Sequence, residues 1–146
     1  MIEFKIYTTA SDLPENEWNG LTRHDIFLQT HYLEAFEKAC PNTICMYYVG
    51  VFNKNQLVGV AVIQRVQLYL KDMFRHEGAT RFKESLQNTL SKFLKGNILV
   101  VGNLTHTGQH GIFVDQTKIS QTQFIEKIFE ACEELTKWIR IERKRK

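Results

Sequence analysis

The residues of this chain best suited to chemistry fall within ten positions, Gly102 to Gly111, reading GNLTHTGQHG. Two histidines, two threonines, an asparagine and a glutamine share the segment with three glycines and one leucine, and no residue there carries a formal charge. An imidazole ionises near neutral pH, so His106 and His110 can each take a proton or donate a hydrogen bond. Asn103, Thr105, Thr107 and Gln109 add hydrogen-bonding groups. Gly102, Gly108 and Gly111 lack a Cβ, which lets backbone N–H groups approach a ligand closely. Ordinary surface loops carry Lys, Glu or Asp. This one does not, and it is read as partly buried, ligand-facing or both.

Two readings compete for the loop. A short apolar run, Ile98–Val101, read as a buried strand, precedes it and a helix start follows at Ser120. Strand, glycine loop and helix together form an anion or pyrophosphate cradle in many proteins. The other reading is a wide loop closing over the end of a sheet, with the glycines supplying positive φ. The pattern is neither GxGxxG nor a P-loop, and eight residues separate Gly111 from Ser120. His106 and His110 stand four apart, which on a helix would put two zinc ligands on one face. Gly108 and Gly111 argue against a helix and no Glu completes an HExxH pattern, so no metal site is predicted. His24, Asp25 and His31 lie close in sequence, but no GxSxG elbow supplies a nucleophile for Ser-His-Asp chemistry. Trp18 and Trp138 read as packing residues.

The elements around the loop follow from periodicity. Ile2, Phe4 and Ile6 alternate with polar neighbours and predict a half-buried strand. Ser11 is expected to cap a short helix with Pro14 near its start, ending around Trp18 and Gly20. Residues 27–39, FLQTHYLEAFEKA, predict an amphipathic helix with Tyr32, Leu33, Phe36 and Ala39 on its apolar face, ended by Pro41. Residues 45–52 and 57–66 predict an antiparallel hairpin, and the nearly all-apolar run Leu57–Ile63 places its second strand centrally, covered on both faces. Residues 71–83 read as an exposed loop and 84–94 as a helix. A strand at 98–101, the glycine loop and a brief strand at 112–114 follow. Ser120 and Gln123 form a capping box for a helix from about Thr122 to near Arg143. Its expected buried residues are Phe124, Ile125, Ile128, Phe129, Cys132, Leu135 and Ile139. This order predicts an α+β fold with a mixed, mainly antiparallel sheet flanked by helices, as one domain over 1–139 with a basic tail at 140–146.

The totals narrow the function classes. Apolar residues make up 43% and aromatics 12% of the 146 residues, enough for a core without disulfides or metal. Of the net charge of +3, the segment Arg140–Lys146 supplies +4, so the body is near neutral. No general nucleic-acid surface is predicted, and the tail reads as a solvated helix end. Cys40, Cys45 and Cys132 are odd in number and form no CxxC pair, which suits reduced thiols. The first residues lack a signal-peptide pattern and no apolar run is long enough to span a membrane, so the expected location is the cytoplasm.

Three segments in this order carry a family resemblance: the helix FLQTHYLEAFEKA, the hairpin MYYVGVFNKNQLVGVAVIQ and the strand-loop ILVVGNLTHTGQHGI. Together they resemble bacterial acyltransferases of the GNAT superfamily, in the FemAB-like, peptidoglycan-related branch. In such proteins an aromatic-Leu pair, here Tyr32-Leu33, precedes a hairpin ending in an apolar LVG strand, here Leu57-Val58-Gly59. A later strand leads into a Gly/Thr-rich loop. The resemblance implies transfer of an acyl group from a thioester or aminoacyl donor to an amine, with acetyl-CoA or another acyl-CoA as co-substrate and no covalently bound cofactor. The uncharged glycine loop itself supplies the site expected for that chemistry: His106 or His110 as general base, and Gly102, Asn103, Thr105, Thr107, Gly108, Gln109 and Gly111 as the substrate-contacting loop. The superfamily's Q/R-x-x-G-x-G/A pyrophosphate pattern is not matched, since Gly108 and Gly111 are spaced G-x-x-G. Members of the branch run on through further strands. The chain is therefore expected to be the N-terminal part of a longer protein, a short version that has lost catalysis, or a binding module that pairs with another copy of itself.

Overall fold

A computed structural model describes residues 1–69, 95–105 and 110–145. The helix expected at 84–94, the loop at 71–83 and the site residues His106, Thr107, Gly108 and Gln109 lie outside the described residues.

Strand β1 (Ile2–Tyr7) is followed by a 3-10 turn at Ala10–Asp12, helix α1 (Glu15–Leu21), a second 3-10 turn at Ile26–Leu28 and helix α2 (Thr30–Ala39). Then come β2 (Ile44–Asn53), β3 (Gln56–Tyr69), β4 (Lys95–Val101), β5 (Ile112–Val114) and the long helix α3 (Gln121–Arg145). The sheet runs β1-β2-β3-β4, with β5 also on β3. Every described strand pair is antiparallel, so the expected α+β class holds and the parallel component of a mixed sheet is not seen among the described residues.

Strand β3 is the centre of the fold. Its side chains alternate between two apolar layers. Val60 and Val62 pack with Trp18, Leu28, Leu33 and Tyr48 beneath α1 and α2. Ala61 and Ile63 pack with Val49, Val51, Phe124, Ile128 and Leu135 beneath α3. Val51 pairs with Gly59 and Phe52 with Leu57, leaving Val58 as the extra residue of a β-bulge. The bulge lets Val58 join the α3 layer while its neighbour Leu57 stays in the opposite one. Gly59 is required there: a Cβ would stand 2.6 Å from the Phe124 ring. The LVG triplet is thus a bulge fitted under a helix.

Several expected boundaries shift for local reasons. Ser11 does not cap a helix; it lies inside the Ala10–Asp12 turn, and α1 starts after Pro14. The helix expected from residue 27 starts at Thr30, because Gln29 is extended and the Asp25 side chain ties Phe27 into a separate turn. Ala39 is exposed. The Ser120/Gln123 box is formed, with Gln123 N–H donating to Ser120 Oγ at 3.2 Å and Ser120 N–H to Gln123 Oε1 at 3.1 Å. Ile125 and Phe129, expected in the core, Ile98 and Val101 of the strand read as buried, and Trp138, read as packing, are instead exposed. No helix among the described residues is long and apolar enough to cross a membrane.

Candidate functional site

The glycine loop is an excursion from one continuous sheet edge. Both β4 and β5 pair with β3, β4 against Ile63–Tyr69 and β5 against Gly59–Ala61. Val62, between these stretches, holds both ends of the loop: Gly102 N–H donates to Val62 O at 2.8 Å, and Val62 N–H donates to Gly111 O at 2.7 Å. A Cβ on Gly111 would fall 2.3 Å from Gly102 Cα, and Gly102 has φ +121°. These two glycines therefore serve the neck of the loop, one by close backbone approach and one by conformation.

Inside the neck, Gln64 fixes the first turn. It is fully buried on β3. Its Nε2 donates to Asn103 Oδ1 at 3.0 Å, and its Oε1 accepts from Leu104 N–H at 2.9 Å. Asn103 Oδ1 also accepts from Thr105 N–H at 3.0 Å and from Thr105 Oγ1 at 2.7 Å. The amides of Gly102, Leu104 and Thr105 are thus bonded within the protein. Gln64 was not among the sequence candidates, although a lone amide in the strand LVGVAVIQRV is a readable signal for a buried polar anchor.

At the far end of the loop, His110 meets Asp25. Nδ1 of His110 lies 2.8 Å from Asp25 Oδ2, with the histidine side chain 34% and the aspartate side chain 10% exposed. The other carboxylate oxygen, Oδ1, accepts from Phe27 N–H at 2.9 Å, and the Phe27 ring packs against the imidazole with centroids 4.7 Å apart. A buried network holds this corner. Trp18 Nε1 donates to Leu28 O at 2.8 Å, Thr22 Oγ1 to Trp18 O at 2.8 Å and Gln29 Nε2 to Thr22 O at 2.8 Å. Asn19 accepts from Thr30 N–H at 2.9 Å, closing the start of α2.

A carboxylate can only accept, so a neutral His110 bonded to Asp25 carries its hydrogen on Nδ1. The lone pair is then on Nε2. This is the orientation in which an imidazole works as a general base, with the aspartate stabilising the imidazolium that forms.

A cleft of about 780 Å³ lies beside the pair, between α1, the β2–β3 turn and β5. Its walls include His24, Phe113, Arg23, Lys54 and Lys118, but neither Asp25 nor His110. His24, next to Asp25 in the chain, packs on Phe113 with ring centroids 4.3 Å apart. Lys118 is tied to Asp115 at 3.2 Å. Hydrogen bonds from Thr117 and Lys118 hold the Asp115 carboxyl below its ordinary pKa. Among the described residues no three His, Cys, Asp or Glu side chains converge to hold a metal ion.

Of the sequence candidates, the structure therefore brings Gly102, Asn103, Thr105, His110 and Gly111 to one loop base, and adds Asp25, Phe27 and Gln64. Comparison with known proteins finds no matching family model, no matching curated protein and no matching solved structure.

Proposed function

We propose that the chain is a GNAT-like, FemAB-related acyltransferase domain in which His110 is the general base and Asp25 its positioning residue. The observation that carries this reading is the 2.8 Å contact between His110 Nδ1 and a largely buried carboxylate at the loop base. In the proposed step an amine attacks the carbonyl carbon of a thioester or aminoacyl donor and Nε2 takes the amine proton. Collapse of the tetrahedral intermediate breaks the bond to the leaving group, which receives that proton. Backbone donors for the oxyanion do not come from Gly102, Leu104 or Thr105, whose amides are already engaged. The setting proposed is the cytoplasm, with an acyl-CoA such as acetyl-CoA as donor.

Thermal-shift measurements with acetyl-CoA and free CoA test donor binding, since a ligand at a hundred times its Kd stabilises the fold by about 2.7 kcal/mol. Thiol release from acetyl-CoA across a panel of amines then reads turnover. His110→Ala and Asp25→Asn are each expected to lower the rate by about 10²- to 10⁴-fold. An unchanged rate in His110→Ala removes the base assignment. No shift and no thiol release with the wild-type chain removes the acyl-CoA reading.

A second reading, a module that binds another polypeptide, is favoured by the apolar side chains Ile125 and Phe129 that α3 leaves in solvent.

A further inference from the structure

The cleft between α1, the β2–β3 turn and β5 takes no part in the proton transfer proposed above. At about 780 Å³ it has the volume of a small-molecule site. It lies at the Gln56 end of β3. Tyr69, paired with Lys95, marks the other end of that strand, about 40 Å further along. Helix α3 likewise runs about 36 Å from Gln121, shortly after Lys118, to Arg145. The walls of the cleft are thus described residues at one end of both elements. Arg23, His24, Lys54, Asn55 and Gln56 on these walls are exposed, so the cleft opens to solvent.

Its charges are not balanced. Lys118 is paired with Asp115, so these two contribute little net charge. Arg23 and Lys54, from the end of α1 and from the β2–β3 turn, have no ion-pair partner among the described residues. Lys54 stands at φ 49°, a backbone that a lysine seldom adopts. Glu17, the remaining acid of the wall, also borders a neighbouring groove with Lys5 and Tyr7. Two unpaired cations and one acid are left. Leu21, Leu57 and Phe113 add an apolar surface to the same walls. A guanidinium offers an oxyanion a planar fork, and an ammonium adds a point charge. A phosphate monoester carries about −1.5 to −2 at pH 7, which two such cations match, whereas a carboxylate carries a single charge. We propose that the cleft binds a phosphate monoester on an apolar or aromatic body. Arg23 and Lys54 hold the phosphate, and Leu57 and Phe113 receive the body. The proposal is independent of acyl transfer and of the His110–Asp25 pair.

Isothermal titration of the intact chain with phenyl phosphate at low ionic strength tests it. Saturable binding is expected, with a Kd on the order of 1 mM or tighter. Arg23→Gln and Lys54→Gln are each expected to raise Kd by about fivefold to tenfold, and Glu17→Gln to lower it by about twofold. All three side chains are exposed, so the variants should keep the circular dichroism and melting temperature of the wild type. Lys38→Gln removes an exposed cation outside the cleft and is expected to leave Kd unchanged. If it weakens binding as much as Arg23→Gln does, the attraction is general and the site is overturned. Phenylacetate is expected to bind about fivefold more weakly than phenyl phosphate; equal affinities overturn the assignment of a dianion. Inorganic phosphate is also expected to bind more weakly, and equal affinity would remove the apolar half of the site. No saturable binding of phenyl phosphate up to about 20 mM overturns the whole proposal. A melting-temperature shift with acetyl-CoA but no binding of phenyl phosphate removes this site and leaves acyl transfer standing. Phenyl phosphate binding with no thiol release from acetyl-CoA does the reverse.

Discussion

Gly111 is where the chain closes the neck of the loop, its carbonyl accepting from Val62 N–H and its Cα side set against the Gly102 backbone. Three glycines in an uncharged segment suggest backbone laid open to a ligand. At two of them the structure shows a different use: Gly111 admits the Gly102 backbone, and Gly102 takes a φ of +121°. Which partner a glycine admits depends on what folding brings against it, and composition does not carry that. Gly111→Ala is expected to destabilise the chain by about 1–3 kcal/mol, the usual effect of overfilling a packed site. Gly96→Ala is the control, because a Cβ there meets nothing within 4 Å. Urea denaturation reads both: the midpoint should fall for Gly111→Ala with the slope unchanged and stay near wild type for Gly96→Ala. Equal midpoints for the two variants would mean that the neck gives way freely. The His110–Asp25 pair was hidden for a related reason. The partners stand 85 positions apart, and only the pairing of β4 and β5 on β3 returns the loop to the corner after α1.

At the scale of elements, the β2–β3 hairpin was legible because its strand formers and intervening polar residues leave little alternative. The hand of its turn was not. Lys54 at φ 49° and Asn55 at φ 65° are both left-handed, the geometry that matches strand twist in a two-residue hairpin and that favours Asn-Gly. A lysine held there pays for its Cβ. Lys54→Asn with Asn55→Gly is therefore expected to raise stability by about 1 kcal/mol, read as a higher melting temperature; a lower one would show that the Lys54 side chain contributes more to the turn than its backbone costs. The long helix shows the opposite limit of legibility. Its cap and span were readable from Ser120, Gln123 and the apolar period. Its face was not fully readable, because Ile125 and Phe129 fit the period as well as Phe124 and Ile128 do. Among the described residues the sheet below α3 ends at β4–β5, and one row lies buried on it while Ile125 and Phe129 of the other are exposed.

At the scale of the whole molecule, ionisable groups buried or half-buried at the two apolar layers tie stability to alkaline pH. Tyr48, on β2 beneath α2, is fully buried. Burial first, and then its bond to Glu37 at 2.9 Å, push its phenol far above the ordinary range. The same carboxylate oxygen accepts from Ala10 N–H at 2.8 Å, so one acid joins α2, β2 and the turn after β1. Burial also raises Tyr7 and Tyr47, and the thiols of Cys40 and Cys132. All five hold their proton more tightly folded than unfolded. Their stabilising contribution is therefore intact at neutral pH and lost as pH rises, from about 8.5 for the thiols and about 10 for the phenols. Tyr48, the most deeply buried of the five, contributes most to that loss. Urea midpoints in reductant are expected to fall above about pH 8.5 and to fall faster above about pH 10. Tyr48→Phe separates the proton from the packing. Losing the Glu37 bond is expected to lower stability at neutral pH by about 1 kcal/mol, yet the variant should lose less than wild type on the alkaline limb, because one titrating phenol is gone. Parallel alkaline limbs for the two proteins would show that Tyr48 ionises as readily folded as unfolded, and that the layer beneath α2 is open to water.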